Sequence, residues 1–223
     1  MALDHLGFGL SDKPARGLRP ADHARNLGAL LDHLGIEDAT LVVEDWGGPI
    51  GLSWALDHPE RFRRLVVLNS WCWSVAGDPH FERFSRFMGG PIGRWLIRHL
   101  NLFARAVLPK AVGRPLPRAV RRHYTAALPD AAARRACADL PRQILEESDW
   151  LDALWARRQA LADRPALVLW GERDIAFRAQ ELRRWREALP QATVHTFADA
   201  GHCPQESVPE QVLPALEAFL AAS

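Results

Sequence analysis

Three side chains in this sequence are of types that cooperate in nucleophilic catalysis: carboxylates at Asp45 and Asp174 and an imidazole at His202. Asp45 lies in Val42-Val43-Glu44-Asp45-Trp46-Gly47-Gly48-Pro49, where an apolar run breaks into a turn of small residues and a helical pattern follows. A strand, a sharp turn and a helix make a nucleophile elbow, which presents one side chain at the top of a sheet beside the positive end of a helix. Asp45 holds the nucleophile position. A carboxylate attacks esters and amides poorly, but it can displace a halide or open an epoxide at an sp³ carbon and form an ester. On Asp45 alone a plainer reading also stands, in which it ends a strand and caps the next helix. The partners tip the balance. Asp174 closes Leu167-Val168-Leu169-Trp170-Gly171-Glu172-Arg173-Asp174, and His202 follows a later strand in Ala200-Gly201-His202-Cys203-Pro204. With nine histidines in the chain, one alone is weak evidence. Nucleophile, acid and histidine in this order, each at a strand end, form the constellation of a catalytic triad.

The elements that must position these groups alternate. Apolar runs at residues 39–45, 62–70, 164–174 and 192–197 read as strands. Helical periodicity precedes the first strand and ends at Gly35, and it returns after the first, third and fourth strands. Strands alternating with helices imply a parallel sheet covered on both faces, an α/β fold. Residues 76–155 carry no strong strand and are rich in Arg, Ala and aromatic residues. They read as a helical cap inserted into a discontinuous core of residues 1–75 and 156–223, placed as a lid over the strand ends.

Composition narrows the function classes. The 223 residues are 48% hydrophobic and 25% charged, the profile of a globular protein. A net charge of +1 gives no reason to expect a nucleic-acid or membrane-surface partner. The basic Arg118-Ala119-Val120-Arg121-Arg122 reads as a solvated helix face. No apolar run reaches the roughly 18 residues of a membrane span, and Asp4, His5 and Asp12 interrupt any signal-peptide core. Three scattered cysteines argue against a disulfide framework and fit a reducing cytoplasm. No metal-ligand cluster is visible, and the chemistry needs no cofactor.

The segments Asp4–Pro14, Val42–Phe62, Leu167–Phe177 and Ala200–Glu206 together resemble the haloalkane dehalogenases of the α/β-hydrolase superfamily. The most specific match is Asp45-Trp46-Gly47-Gly48. The resemblance implies that Asp45 displaces halide from a haloalkane, and that the indole N–H of Trp46 receives it. His202, oriented by Asp174, would then activate water to hydrolyse the alkyl ester, with the backbone N–H of Trp46 as an oxyanion donor. Haloalkane, water and halide are the expected partners. Glu44 is expected to point away from the pocket, because a second ionised carboxylate would weaken Asp45.

In such enzymes the Asp4–Pro14 segment follows the fourth strand. The resemblance therefore implies that three strands and a helix, roughly 50–70 residues by typical element lengths, lie outside this chain. With them would go an His-Gly loop carrying a second oxyanion donor and often a halide-binding Asn. Asn26, Asn69 and Asn101 do not occupy that context. The expectation is an exposed sheet edge along residues 39–44, self-association and impaired activity. Two alternatives remain open: an epoxide hydrolase, which normally uses two cap tyrosines where this chain has one, and a non-catalytic hydrolase remnant.

Overall fold

A computed structural model describes residues 1–222. Four parallel strands, β1 (Ala39–Asp45), β2 (Phe62–Ser70), β3 (Ala166–Gly171) and β4 (Thr193–Phe197), form one sheet in the order β1-β2-β3-β4. The inner strands are the most apolar, and β3 is buried along its whole length. Side chains alternate between faces along a strand, and the packing follows. Leu65, Val67, Ala166, Val168 and Trp170 join one core. Val66, Leu68, Leu167 and Leu169 join a second with Phe197, Val208 and Val212. The first core is closed by α1 (Pro20–His33), α2 (Gly47–Asp57) and α9 (Ala179–Ala188), the second by α11 (Pro209–Ala221). β1 is an outer strand, and Val42 on it is 51% exposed.

The third strand is shorter than the apolar run suggests. Arg164 stands before it, its guanidinium donating to the carbonyls of Phe62 and Pro59. After Gly171 the chain leaves the ladder, and Arg173 N–H donates to the Ala200 carbonyl. That departure frees Asp174 from the sheet.

Between β2 and β3 the described chain is helical: α3 (Pro79–Met88), α4 (Pro91–Leu100), a π-helical turn at Phe103–Val107, α5 (Leu108–Ala111), α6 (Arg118–Ala126), α7 (Arg135–Glu146) and α8 (Ser148–Ala156). Charged ties fix these helices to the rest. Arg19, at the entrance to α1, makes a bidentate pair with buried Glu147, its Nη2 lying 2.9 Å from Oε2. Arg178 bridges Asp78 at the start of α3 and Glu181 in α9. α10 (Pro204–Ser207) lies between β4 and α11.

The turn from β1 into α2 depends on one glycine. A Cβ at Gly48 would lie 2.0 Å from the Ser70 hydroxyl oxygen and 2.7 Å from the Trp71 carbonyl. Gly48→Ala should therefore cost about 1–3 kcal/mol of stability through overpacking. Thermal unfolding should show a Tm lower by several degrees; an unchanged Tm would mean that the turn relaxes freely.

Candidate active site

Asp45 ends β1 in the left-handed region, with φ 46°. An L-residue rarely adopts this conformation, and it occurs where surrounding structure over-determines it. Here the Ser70 hydroxyl donates to the Asp45 carbonyl at 2.6 Å, and the β1–β2 register shifts between Glu44 and Asp45. The next residues begin α2. The carboxylate thus sits by a helix N-terminus, accepts the backbone N–H of Trp46 and gains from the positive end of the helix dipole. Its side chain retains 46% of its surface, open to an internal cavity.

Asp174 and His202 converge on it. His202 Nδ1 is 3.0 Å from Asp174 Oδ2, and Nε2 is 3.9 Å from Asp45 Oδ1. The acid itself is held rigidly. Asp174 Oδ1 accepts the Ala176 N–H at 2.7 Å, and Oδ2 accepts Asn69 Nδ2 at 2.8 Å. Asn69 is fully buried, its φ is 21°, and its Oδ1 accepts the Gly171 N–H at 2.7 Å. It is the positioning residue that sequence reasoning set aside. The one signal for it is a polar residue at the end of the apolar run Leu65–Leu68. The histidine loop rests on α5: His202 N–H donates to the Ala111 carbonyl at 2.8 Å and Gly201 N–H to Val112 at 3.1 Å. A Cβ at Gly201 would lie 2.2 Å from the Ala111 oxygen, so this approach requires glycine.

The cavity has a volume of about 340 Å³. Asp45, Trp46, Trp71, Phe177 and His202 form its floor, and Phe103, Val107, Leu108, Leu140 and Ile144 of the intervening helices roof it. Cys137 also lines it, but burial pushes its thiol up to about 12, so it is no thiolate near neutral pH. Glu44 is outside the lining; its Oε2 accepts Gln205 Nε2 at 2.7 Å. Tyr124, the single tyrosine, also lies outside the lining and donates to Glu206 at 2.7 Å. The tyrosine pair expected of an epoxide hydrolase therefore cannot form from this chain.

Residues 1–209 match the family model described as the alpha/beta hydrolase fold. Haloalkane dehalogenase 2 of Mycobacterium tuberculosis is 35% identical over 219 residues, covering 97% of this chain and 76% of that protein. This chain belongs to the haloalkane dehalogenase family of the α/β-hydrolase superfamily. As a member of it, the chain is a hydrolase. A cis-3-alkyl-4-alkyloxetan-2-one decarboxylase of Xanthomonas campestris is also similar, 38% identical over 243 residues, covering 97% of this chain and 77% of its own length. Among solved structures, a loop variant of the Bradyrhizobium elkanii dehalogenase DbeA superposes with a TM-score of 0.85 at 28% identity. The match covers 98% of this chain and 78% of that one.

The charges of the site are coupled. Burial, with the nearby charge of Asp174, holds the Asp45 carboxyl above its ordinary value, although the charge of His202 and the Trp46 N–H pull it down. Burial lowers His202, but its bond to Asp174 and the charges of Asp174, Asp45 and Glu44 prevail and raise it to about 9. The resting histidine is therefore an imidazolium at neutral pH. Asp45→Asn removes one of the charges that raise it. An imidazole NMR titration should then place the His202 midpoint below that of the unaltered protein, closer to its ordinary 6.5. An unmoved midpoint would contradict the coupling.

Proposed function

We propose that this hydrolase converts haloalkanes to alcohol and halide through a covalent ester on Asp45. One observation carries the reading: an elbow carboxylate facing an apolar cavity, with His202 Nε2 3.9 Å away and Asp174 behind the imidazole. In the first step an Asp45 oxygen attacks the halogen-bearing carbon, the carbon–halogen bond breaks, and the halide leaves with the bonding pair. The Trp46 indole N–H, a donor with no acceptor character, receives it. The apolar walls keep water from the carboxylate, which strengthens its electrostatic contacts.

In the second step His202 takes a proton from water, and the resulting hydroxide oxygen bonds to the ester carbonyl carbon. The 3.9 Å gap between Nε2 and Oδ1 exceeds a direct hydrogen bond. The Trp46 backbone N–H serves the tetrahedral oxyanion. Collapse expels the alcohol and restores Asp45. Alkylation cancels the charge on Asp45, which lowers the His202 pKa, and the imidazolium passes its proton to solvent before the neutral imidazole acts as the base.

In this reading residues 76–155 form a cap on a core of residues 1–75 and 156–223. Phe103, Val107 and Leu108 in the cavity roof then set which alkyl groups fit. A second reading comes from the decarboxylase relative. The same carboxylate could open a four-membered lactone at its alkyl C–O carbon, expelling a carboxylate where a halide would leave. The freed carboxylate would then leave as carbon dioxide, its carbon–carbon bonding pair forming the alkene as the Asp45–carbon bond breaks and restores the Asp45 carboxylate, with no halide.

The test is halide release from 1-bromobutane by the full chain. Asp45→Ala should reduce it by about 10⁴-fold or more. His202→Gln should stall after the first step, so that intact-mass spectrometry finds a butyl adduct. Undiminished turnover in Asp45→Ala would sink the reading, and alkene production from an oxetan-2-one without halide chemistry would favour the second.

A further inference from the structure

One acidic group beside the nucleophile has no part in the two-step reaction. Glu44 precedes Asp45 at the end of β1 and lies outside the cavity lining. It is half-buried: Oε2 accepts Gln205 Nε2 at 2.7 Å, while Oε1 is buried with no hydrogen-bond partner. A buried carboxylate oxygen without a partner is costly, and a neutral side chain would end the strand without that cost. The cationic group that acts on it is His202: burial raises the Glu44 carboxyl and the charge of His202 lowers it. The other titratable groups beside Glu44 are Asp45 and the Cys203 thiol, which burial raises, so that it stays neutral. Tyr124 on α6, paired with Glu206 on α10, faces the same cluster.

The bond to Gln205 has a particular place in the fold. Gln205 lies in α10, just after His202. Residues 201–207 make several hydrogen bonds to other elements. Gly201 N–H and the Ser207 hydroxyl donate to the Val112 carbonyl, His202 N–H donates to Ala111, and the Tyr124 hydroxyl donates to Glu206. All of these reach the helical segment between β2 and β3. The His202 ring reaches Asp174, which follows β3. Among the described residues, Glu44 to Gln205 is the one hydrogen bond that joins the histidine loop to β1, the strand that carries Asp45.

We infer that Glu44 is a positioning residue for the second step: through Gln205 it holds the histidine loop in register with β1, and its charge stands near the imidazole that serves the ester on Asp45. This rests on the covalent-ester reading of the site. Attack of Asp45 on the substrate carbon needs no base, so the tie bears little on the first step. Activation of water needs the imidazole within hydrogen-bond reach of a water at the ester carbonyl, where a small misplacement is costly. The charge acts separately. Asp174, Asp45 and Glu44 are the charges that raise His202. Removing that of Glu44 lowers the imidazole, which is then neutral, and a base, at lower pH.

The test is rapid-quench intact-mass spectrometry with 1-bromobutane, which follows formation and decay of the butyl adduct separately. Glu44→Ala and Gln205→Ala break the tie from its two ends. Each should slow adduct decay about tenfold and adduct formation much less, so that the adduct accumulates. Glu44→Gln keeps an oxygen that accepts from Gln205. Its decay should stay near the parental rate at high pH, with the acidic limb of the pH profile moved to lower pH. If Glu44→Ala does not fold, Gln205→Ala decides, because it leaves β1 untouched. Equal slowing of both steps, unchanged decay in Gln205→Ala, or an unmoved acidic limb in Glu44→Gln overturns the inference and leaves the ester reading intact. If no adduct forms even in His202→Gln, the ester reading and the inference fall together.

Discussion

A carboxylate placed in an apolar cavity must remain ionised to act as a nucleophile, and burial works against that. The site is built around this constraint. Asp45 is offset by the Trp46 backbone N–H, the helix that begins behind it and the nearby His202. Its surface opens to the apolar cavity. An exposed carboxylate would be solvated and slow, and a fully enclosed one would take up a proton. The elbow holds Asp45 between these limits, at the cost of a left-handed backbone secured by the Ser70 hydroxyl and the bare Cα of Gly48.

The same constraint reaches the histidine. His202 is the counter-charge for Asp45 and, in the proposed second step, the base. These two roles conflict unless its pKa changes during turnover. The coupling to Asp45 allows such a change, and the rigid cradle of Asp174 by Asn69 and Ala176 keeps the imidazole in place while it happens. Preorganised support of this kind is what makes a site act through small differences in charge. The cavity roof takes part mechanically, since α5 both lines the cavity and holds the backbone of the histidine loop.

Asp45, Asp174 and His202 were legible in the sequence because each ends or follows a strand, and parallel strands bring such ends to one edge of a sheet. The inner strands were legible for a related reason: burial on both faces leaves an uninterrupted apolar run. Asn69 was not legible, because its role exists only across a contact between residues 105 apart in the chain. Glu44 was read correctly as turned from the cavity, yet its charge still reaches His202, an effect that no local pattern encodes. The boundary of β3 was missed because the apolar run does not reveal where Gly171 must leave the ladder.

The central claim is that the substrate becomes an ester of Asp45 and that water attacks the carbonyl carbon of that ester. Many turnovers of a bromoalkane in ¹⁸O-water, followed by mass analysis of the peptide containing Asp45, test this directly. Each cycle exchanges a carboxylate oxygen, so the account predicts heavy oxygen accumulating in the Asp45 side chain, with the Asp174 peptide unchanged. If the alcohol carried the label and Asp45 remained unlabelled after repeated turnover, water would have attacked the alkyl carbon itself, and the account would be contradicted.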